Sequence, residues 1–284
     1  MSKIQKLAVL CSLILSLILL SACYVYDEMP NPDSNQAQTE LAPNDTPDTE
    51  IDDKHIRFVF TRVLEDPVAQ WYEQVYEEAF MRLGYTFEME HAPPERASTF
   101  TSDGIYDGEA LRIYDYGDTH PNLIRVDEPL VQINFSAFSV NKDIKLTHWE
   151  SVIESNYKVA YRLGTAKLEY KLVDNLTANR LIKSYNNKGA IDHLMEHSAD
   201  IYIDVESYVY AYLKTESFEE QGYDQVIYNL GPIESVTGHA FLYKKHEALA
   251  PLLSNELKQM KSEGLMKAYF DELGLTPSDL NLHE

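Results

Sequence analysis

Between Ile56 and Met89 the chain reads strand, helix, strand, and that succession confines the fold to one built on an α/β sheet. Ile56-Arg57-Phe58-Val59-Phe60 is rich in β-branched and aromatic residues and reads as a first strand. Asp66-Pro67 has the form of an N-cap followed by proline at the first helical position. Behind it Val68, Trp71, Val75, Ala79, Phe80 and Leu83 recur at helical spacing, and Gly84 supplies a stop. Tyr85 to Met89 is again β-type. A βαβ unit of this kind calls for a parallel sheet with a right-handed crossover.

The pattern continues and then repeats. Pro93-Pro94 breaks the chain before a short helix. Strands are expected in the stretch from Tyr106 to Arg112, at Leu123 to Val126, and over the long run Val131 to Val140. A second series begins near Ile144. Thr147-His148-Trp149-Glu150 has the spacing of a capping box. Lys158 to Arg162 and Ala199 to Asp204 read as strands, with helices from Lys167 to Val173 and from Gly189 to His197. Gln225 to Asn229 reads as one more strand. Gly231-Pro232 is expected to break the chain, and the tail from Leu249 to Leu273 to be strongly helical. No solenoid-spaced repeat, Walker sequence, Gly-x-Gly-x-x-Gly or Gly-x-Ser-x-Gly is present.

The N-terminus carries a different kind of signal. Lys3 and Lys6 precede an apolar run from Leu7 to Leu20, shorter than the roughly 20 residues that span a bilayer. The run ends in Leu20-Ser21-Ala22-Cys23, which resembles the bacterial lipobox. That resemblance implies cleavage before Cys23, with residues 1–22 removed and the Cys23 thiol carrying lipid. Several acyl chains would then hold the protein on the periplasmic side of a cell-envelope membrane. Tyr24, in place of Asp, points to the outer membrane by the enteric sorting rule. Of the two cysteines, Cys11 leaves with the signal, so thiol catalysis and thiolate metal sites are excluded from the mature protein.

Residues 23–54 are acidic and polar, with hardly a large apolar side chain after Tyr26, and read as a disordered spacer. The formal net charge of −22 disfavours nucleic acid and anionic lipid surfaces as partners.

From Trp71 to Gly264 the order of features resembles the bacterial extracellular solute-binding proteins of family 3. The resemblance rests on Gly104 to Arg112 followed by Asn122 to Leu130, on Val159 to Thr165, on Leu194 to Asp204, and on Phe241 to His246. It implies a two-lobe, type II periplasmic-binding-protein-like fold. Each lobe would be a mixed, mostly parallel sheet flanked by helices, and two hinge strands would join them. Lobe one would take residues 55–138 and 235–284, and lobe two, with the hinges, residues 139–234. The breaks at Val140 and Gly231-Pro232 fall where such hinges are required.

Six residues are candidates for holding a ligand in the cleft. Arg112 ends a strand and can grip a carboxylate through paired N–H groups, with Glu109 just before it. Tyr114 is placed on the same strand face, where it would stack on a ligand. Thr165 opens a helix whose free N–H groups can seat an anion, and Arg162 adds positive charge nearby. The resemblance puts an ammonium-binding carboxylate at Asp204, with Glu206 as the competing position. Arg112 and Asp204 together would select a zwitterionic solute.

His193-Leu194-Met195-Glu196-His197 matches the H-x-x-E-H form of inverted zinc proteases. Ile191, Leu194 and Met195 supply the buried face, however, which leaves the histidines solvated, and no metal or cofactor is expected. The resulting expectation is a lipid-anchored protein that captures a small polar solute, such as an amino acid, by lobe closure for an ABC permease or a sensor. Two alternatives stand beside it. One is a dehydratase-like enzyme on the same fold, with Glu109 as the acid–base candidate. The other is a binding fold that contacts a protein partner. The chain length leaves no room for the lytic domain to which some relatives of the fold are joined.

Overall fold

The computed structural model describes residues 54–283, which belong to one compact unit. The expected signal, Cys23 and the spacer to residue 53 lie outside the described residues. Strand β1 (His55–Phe60) is followed by helix α1 (Pro67–Arg82) and β2 (Thr86–His91). Asp66 caps α1 by accepting from the Val68 N–H at 2.8 Å, and Pro67 sits where its missing N–H costs nothing. The face of α1 carrying Trp71, Tyr72, Val75, Tyr76, Ala79 and Phe80 is fully buried. β2 pairs with β1 in parallel, so the first βαβ unit stands as the sequence pattern requires.

Helix α2 (Pro94–Ser102) leads to β3 (Gly108–Ile113), which lies parallel to β1 on its other edge. β4 (Leu123–Arg125) and β5 (Val131–Ser139) follow. The second series comprises α3 (Trp149–Ile153), β6 (Val159–Arg162), α4 (Ala166–Val173), β7 (Leu181–Ser184), α5 (Asn187–Met195), β8 (Ile201–Val205), α6 (Glu206–Leu213) and α7 (Glu216–Glu219). The chain returns through β9 (Tyr228–Tyr243) to α8 (Ala250–Ser262), α9 (Leu265–Glu272) and a short β10 (Asn281–Leu282).

The strand order is β2-β1-β3-β9-β5-β8-β6-β7, with β4 on β9 and β10 on β5. Pairing is parallel within each half, in β1–β2, β1–β3, β6–β7 and β6–β8. It turns antiparallel wherever β5 or β9 enters. These two long strands lie side by side in the middle, so the halves share one continuous ladder. The cores remain separate. One gathers around α1, α8 and α9, where the Trp71 indole N–H reaches the Met266 carbonyl at 2.9 Å. Two more lie on the two faces of the β8-β6-β7 half, against α3 and α4 on one side and α5 and α6 on the other, and a small one of Val59, Ala92, Ala97 and Tyr106 lies in the first half.

Several local expectations change. Gly231-Pro232 does not end a strand: β9 passes through it, and the β5–β9 register shifts at Ser136, opposite Pro232. Gly231, at φ 101°, supplies the bulge that an L-residue would resist. The tail is helical as expected, and Gly264, left-handed at φ 73°, divides it by closing α8 before α9 starts. The cap of α3 is His148, not Thr147: its Nδ1 accepts from the Ser151 N–H at 3.1 Å while Ser151 Oγ takes the reciprocal bond.

Helix α5 stops at Met195, and His197 stands at φ 56° beyond it. His193 and His197 therefore do not share the helical face that the H-x-x-E-H form presumes, and His193 Nδ1 lies 2.8 Å from Ser198 Oγ. Tyr114 is not on the β3 strand face. It begins a 3-10 turn, Tyr114–Asp118, because the chain leaves the sheet at Ile113. β7, β10 and α7 carry no pattern that announces them in the sequence. Among the described residues no helix is long and apolar enough to cross a membrane.

Candidate functional site

In open α/β sheets, ligands gather outside the carboxyl ends of parallel strands, where loops and helix starts converge. Here the carboxyl ends of β1, β6 and β8 meet across the boundary between the halves. Just past β1, Arg62 pairs with Asp66 at 3.0 Å and reaches Ser207 Oγ at 3.4 Å, on α6 of the other half. The next residue, Tyr208, has its ring 4.4 Å from the Arg62 guanidinium carbon and 4.9 Å from that of Arg162, the last residue of β6. One aromatic ring thus serves two cations, one from each half, at cation–π distance.

Arg162 is held in turn by Asp204, near the end of β8. Its Nε and Nη2 reach the two carboxylate oxygens at 2.7 and 3.2 Å. Asp204 also accepts from the Tyr202 hydroxyl and from the Val205 N–H, each at 2.7 Å, and its side chain is fully buried. Burial acts to lower the Arg162 pKa, but the charge and hydrogen bonds of Asp204 outweigh it and the net displacement is upward. Burial, with the Asp204 charge behind it, pushes the Tyr202 phenol well above its ordinary range. Glu206, first in α6, accepts at 2.5 Å from Ser136 of β5.

The other candidates lie elsewhere. Arg112 donates Nε to Glu109, with Nη2 at 3.3 Å from Ser98 Oγ and 3.4 Å from the Pro94 carbonyl. Glu109 is 2% exposed at its side chain and also accepts from Tyr116 at 3.0 Å. Burial, helped by Glu109 and opposed by the Arg112 charge, pushes the Tyr116 phenol up to about 12. All of these partners belong to the first half, so Glu109 and Arg112 come together with each other but not with Arg162 and Asp204. Tyr114 is 53% exposed and lies against Arg125, with 3.7 Å from ring centre to guanidinium.

Thr165 occupies the N-cap position of α4 without a side-chain cap bond. Its neighbour Gly164 donates its N–H to Glu169 at 3.0 Å. Lys167, in the first turn, spans 2.9 Å to Glu234 of β9 and 3.4 Å to Asp115 of the first half. Arg62 and Tyr208 were missed in the sequence. The available signal was positional: each follows the end of a β-type run by a few residues, where an α/β site is built.

No family model matches the chain. Solved structures do. A histidine kinase sensor domain with similarity to periplasmic binding proteins superposes with a TM-score of 0.60 at 13% identity, over 78% of this chain and 97% of that one. A putative ABC-transporter binding component from Wolinella succinogenes, complexed with lysine, gives 0.58 at 13% identity, covering 78% and 95%. An ancestral amino-acid-binding protein described as a precursor of cyclohexadienyl dehydratase gives 0.54 at 15%, covering 78% and 95%. At such identities the likeness is one of fold, and it defines the class: an α/β protein of periplasmic-binding-protein-like architecture.

Within that class the sequence has a nearer relation, an uncharacterized protein of Shewanella oneidensis. It is 35% identical over 235 residues, 81% of this chain and 86% of that one, and the chain belongs to the same family as this Shewanella protein.

Proposed function

We propose that the chain is an extracytoplasmic solute-binding protein of the family 3 kind, tethered through a lipid on Cys23, that captures a small polar solute by closing its halves for a permease or a sensor. The observation that carries this reading is the meeting of Arg62 and Arg162, one from each half, on Tyr208 at the strand carboxyl ends. A ligand there touches both halves only when they are closed, which is what couples capture to closure. The solved structures of like fold are mostly binding proteins and include a sensor domain, which supports binding rather than turnover.

Thermal unfolding of the full chain against a library of amino acids, organic acids and short peptides tests the reading. A ligand at one hundred times its Kd adds about 2.7 kcal/mol to stability. At least one compound should raise Tm in the native chain and fail to do so in Arg62→Ala. A flat response across the library would sink solute capture. For the anchor, growth with a clickable palmitate analogue should label the native chain and leave Cys23→Ser unlabelled.

One feature favours a second reading, a fold that contacts a protein partner. The groups best suited to a solute, Arg112 and Asp204, are both committed to internal partners.

A further inference from the structure

We infer that the solute taken at the Arg62–Tyr208–Arg162 junction is a carboxylate without an ammonium group, an organic acid and not a zwitterion; this rests on the solute-binding reading above. Selecting a zwitterion requires a carboxylate with accepting capacity to spare. Asp204 has none. A carboxylate offers about four lone-pair sites, and Asp204 receives Arg162 Nε, Arg162 Nη2, the Tyr202 hydroxyl and the Val205 N–H. Its side chain is also wholly shielded from solvent.

Asp66, the other acid at the junction, is engaged by Arg62 and by the α1 cap. Glu206 gives one oxygen, Oε2, to Ser136 in the central ladder, and its replacement below tests whether the other serves a ligand. The two halves therefore present to one another a guanidinium from each side and a phenol ring between them. Arg62 spends Nη1 on Asp66 and Nη2, at 3.4 Å, on Ser207, Arg162 spends Nε and Nη2 on Asp204, and the Tyr208 ring lies against both guanidiniums. An incoming carboxylate would take the remaining N–H groups as charge-assisted bonds. The Tyr208 ring would remain as a surface for the apolar or unsaturated body of the acid.

Matched pairs decide the matter: calorimetric titration of the full chain with 3-phenylpropanoate against phenylalanine, and with succinate against aspartate. The amine-free member of at least one pair should bind at least tenfold tighter than its amino acid. Arg62→Gln should weaken that binding tenfold or more, and Glu206→Gln should leave it unchanged. Arg162→Lys serves for the second cation, because it keeps a positive charge beside buried Asp204 and so protects the fold.

A tighter amino acid in both pairs, or loss of binding in Glu206→Gln, would overturn the inference while leaving solute capture standing. Should neither member of either pair bind while other amino acids do, the inference fails in the same way. Silence from these acids and from the wider library removes the solute reading itself.

Discussion

At the scale of single residues, the Arg162–Asp204 pair shows how a group suited to ligand binding becomes structural. Asp204 is fully buried, and an isolated charge there would be expensive, so the chain surrounds it with donors. Breaking a buried pair from one side strands the other charge, which costs about 3–5 kcal/mol, whereas replacing both partners with apolar groups of similar volume is often close to neutral. Arg162 keeps some exposure, which places this case toward the lower end. Arg162→Met is expected to destabilise the protein by about 3 kcal/mol. The double variant Arg162→Met/Asp204→Leu should recover most of that loss, as read from urea denaturation midpoints. A double variant as unstable as the single one would show that Asp204 is held chiefly by Tyr202 and the backbone.

At the scale of elements, β3 is fixed by a residue that has no side chain. A Cβ on Gly108 would lie 2.3 Å from Phe58 Cε1 and 2.6 Å from the Phe241 carbonyl oxygen. Neither neighbour can yield, because Phe58 is fully buried in the first core and Phe241 is paired in β9. Gly108→Ala is expected to cost at least about 1–3 kcal/mol, the range for overpacking a filled core. Its effect should appear in hydrogen exchange as lost protection at the β1–β3–β9 contacts; unchanged protection there would refute the packing argument. The same element shows what the sequence could convey. Strands and helices announced by periodicity and caps, such as β1, α1 and β6, lie where the pattern puts them. Boundaries set by tertiary pairing do not. Gly231-Pro232 looks like an end but is a bulge, because β5 continues to pair on both sides of it. Tyr114 looks like a strand residue but turns away, because the chain leaves the sheet at Ile113. The candidate site was half legible for a related reason. Arg162 and Asp204 were each visible as ionisable residues at strand ends, yet their mutual pairing depends on β6 and β8 lying side by side, which no local pattern encodes.

At the scale of the whole molecule, the two halves are joined by more than the central ladder. Lys167 reaches Asp115 across the boundary, Lys214 reaches Asp279 at 2.5 Å and Ser278 at 2.9 Å, and Arg62 reaches Ser207. Each pair takes one partner from each half. Such pairs favour a closed arrangement without any ligand. Exposed pairs are each worth about 0–1 kcal/mol, and salt weakens them. Removing two of them therefore shifts the closed–open balance by up to about 1–2 kcal/mol. Against a conformational difference of a few kcal/mol that is a large fraction of the bias. Small-angle scattering reads the consequence directly. Lys167→Met/Lys214→Met is expected to give a larger radius of gyration than the native chain at low ionic strength. Raising the salt should expand the native chain toward the variant and leave the variant unmoved. On the proposed reading a bound solute should return both to the compact value, because it would bridge Arg62 and Arg162 whether or not the outer pairs exist. If the variant and the native chain scatter identically at every salt concentration, the ladder of β5 and β9 alone sets the angle between the halves, and the ion pairs are passengers on it.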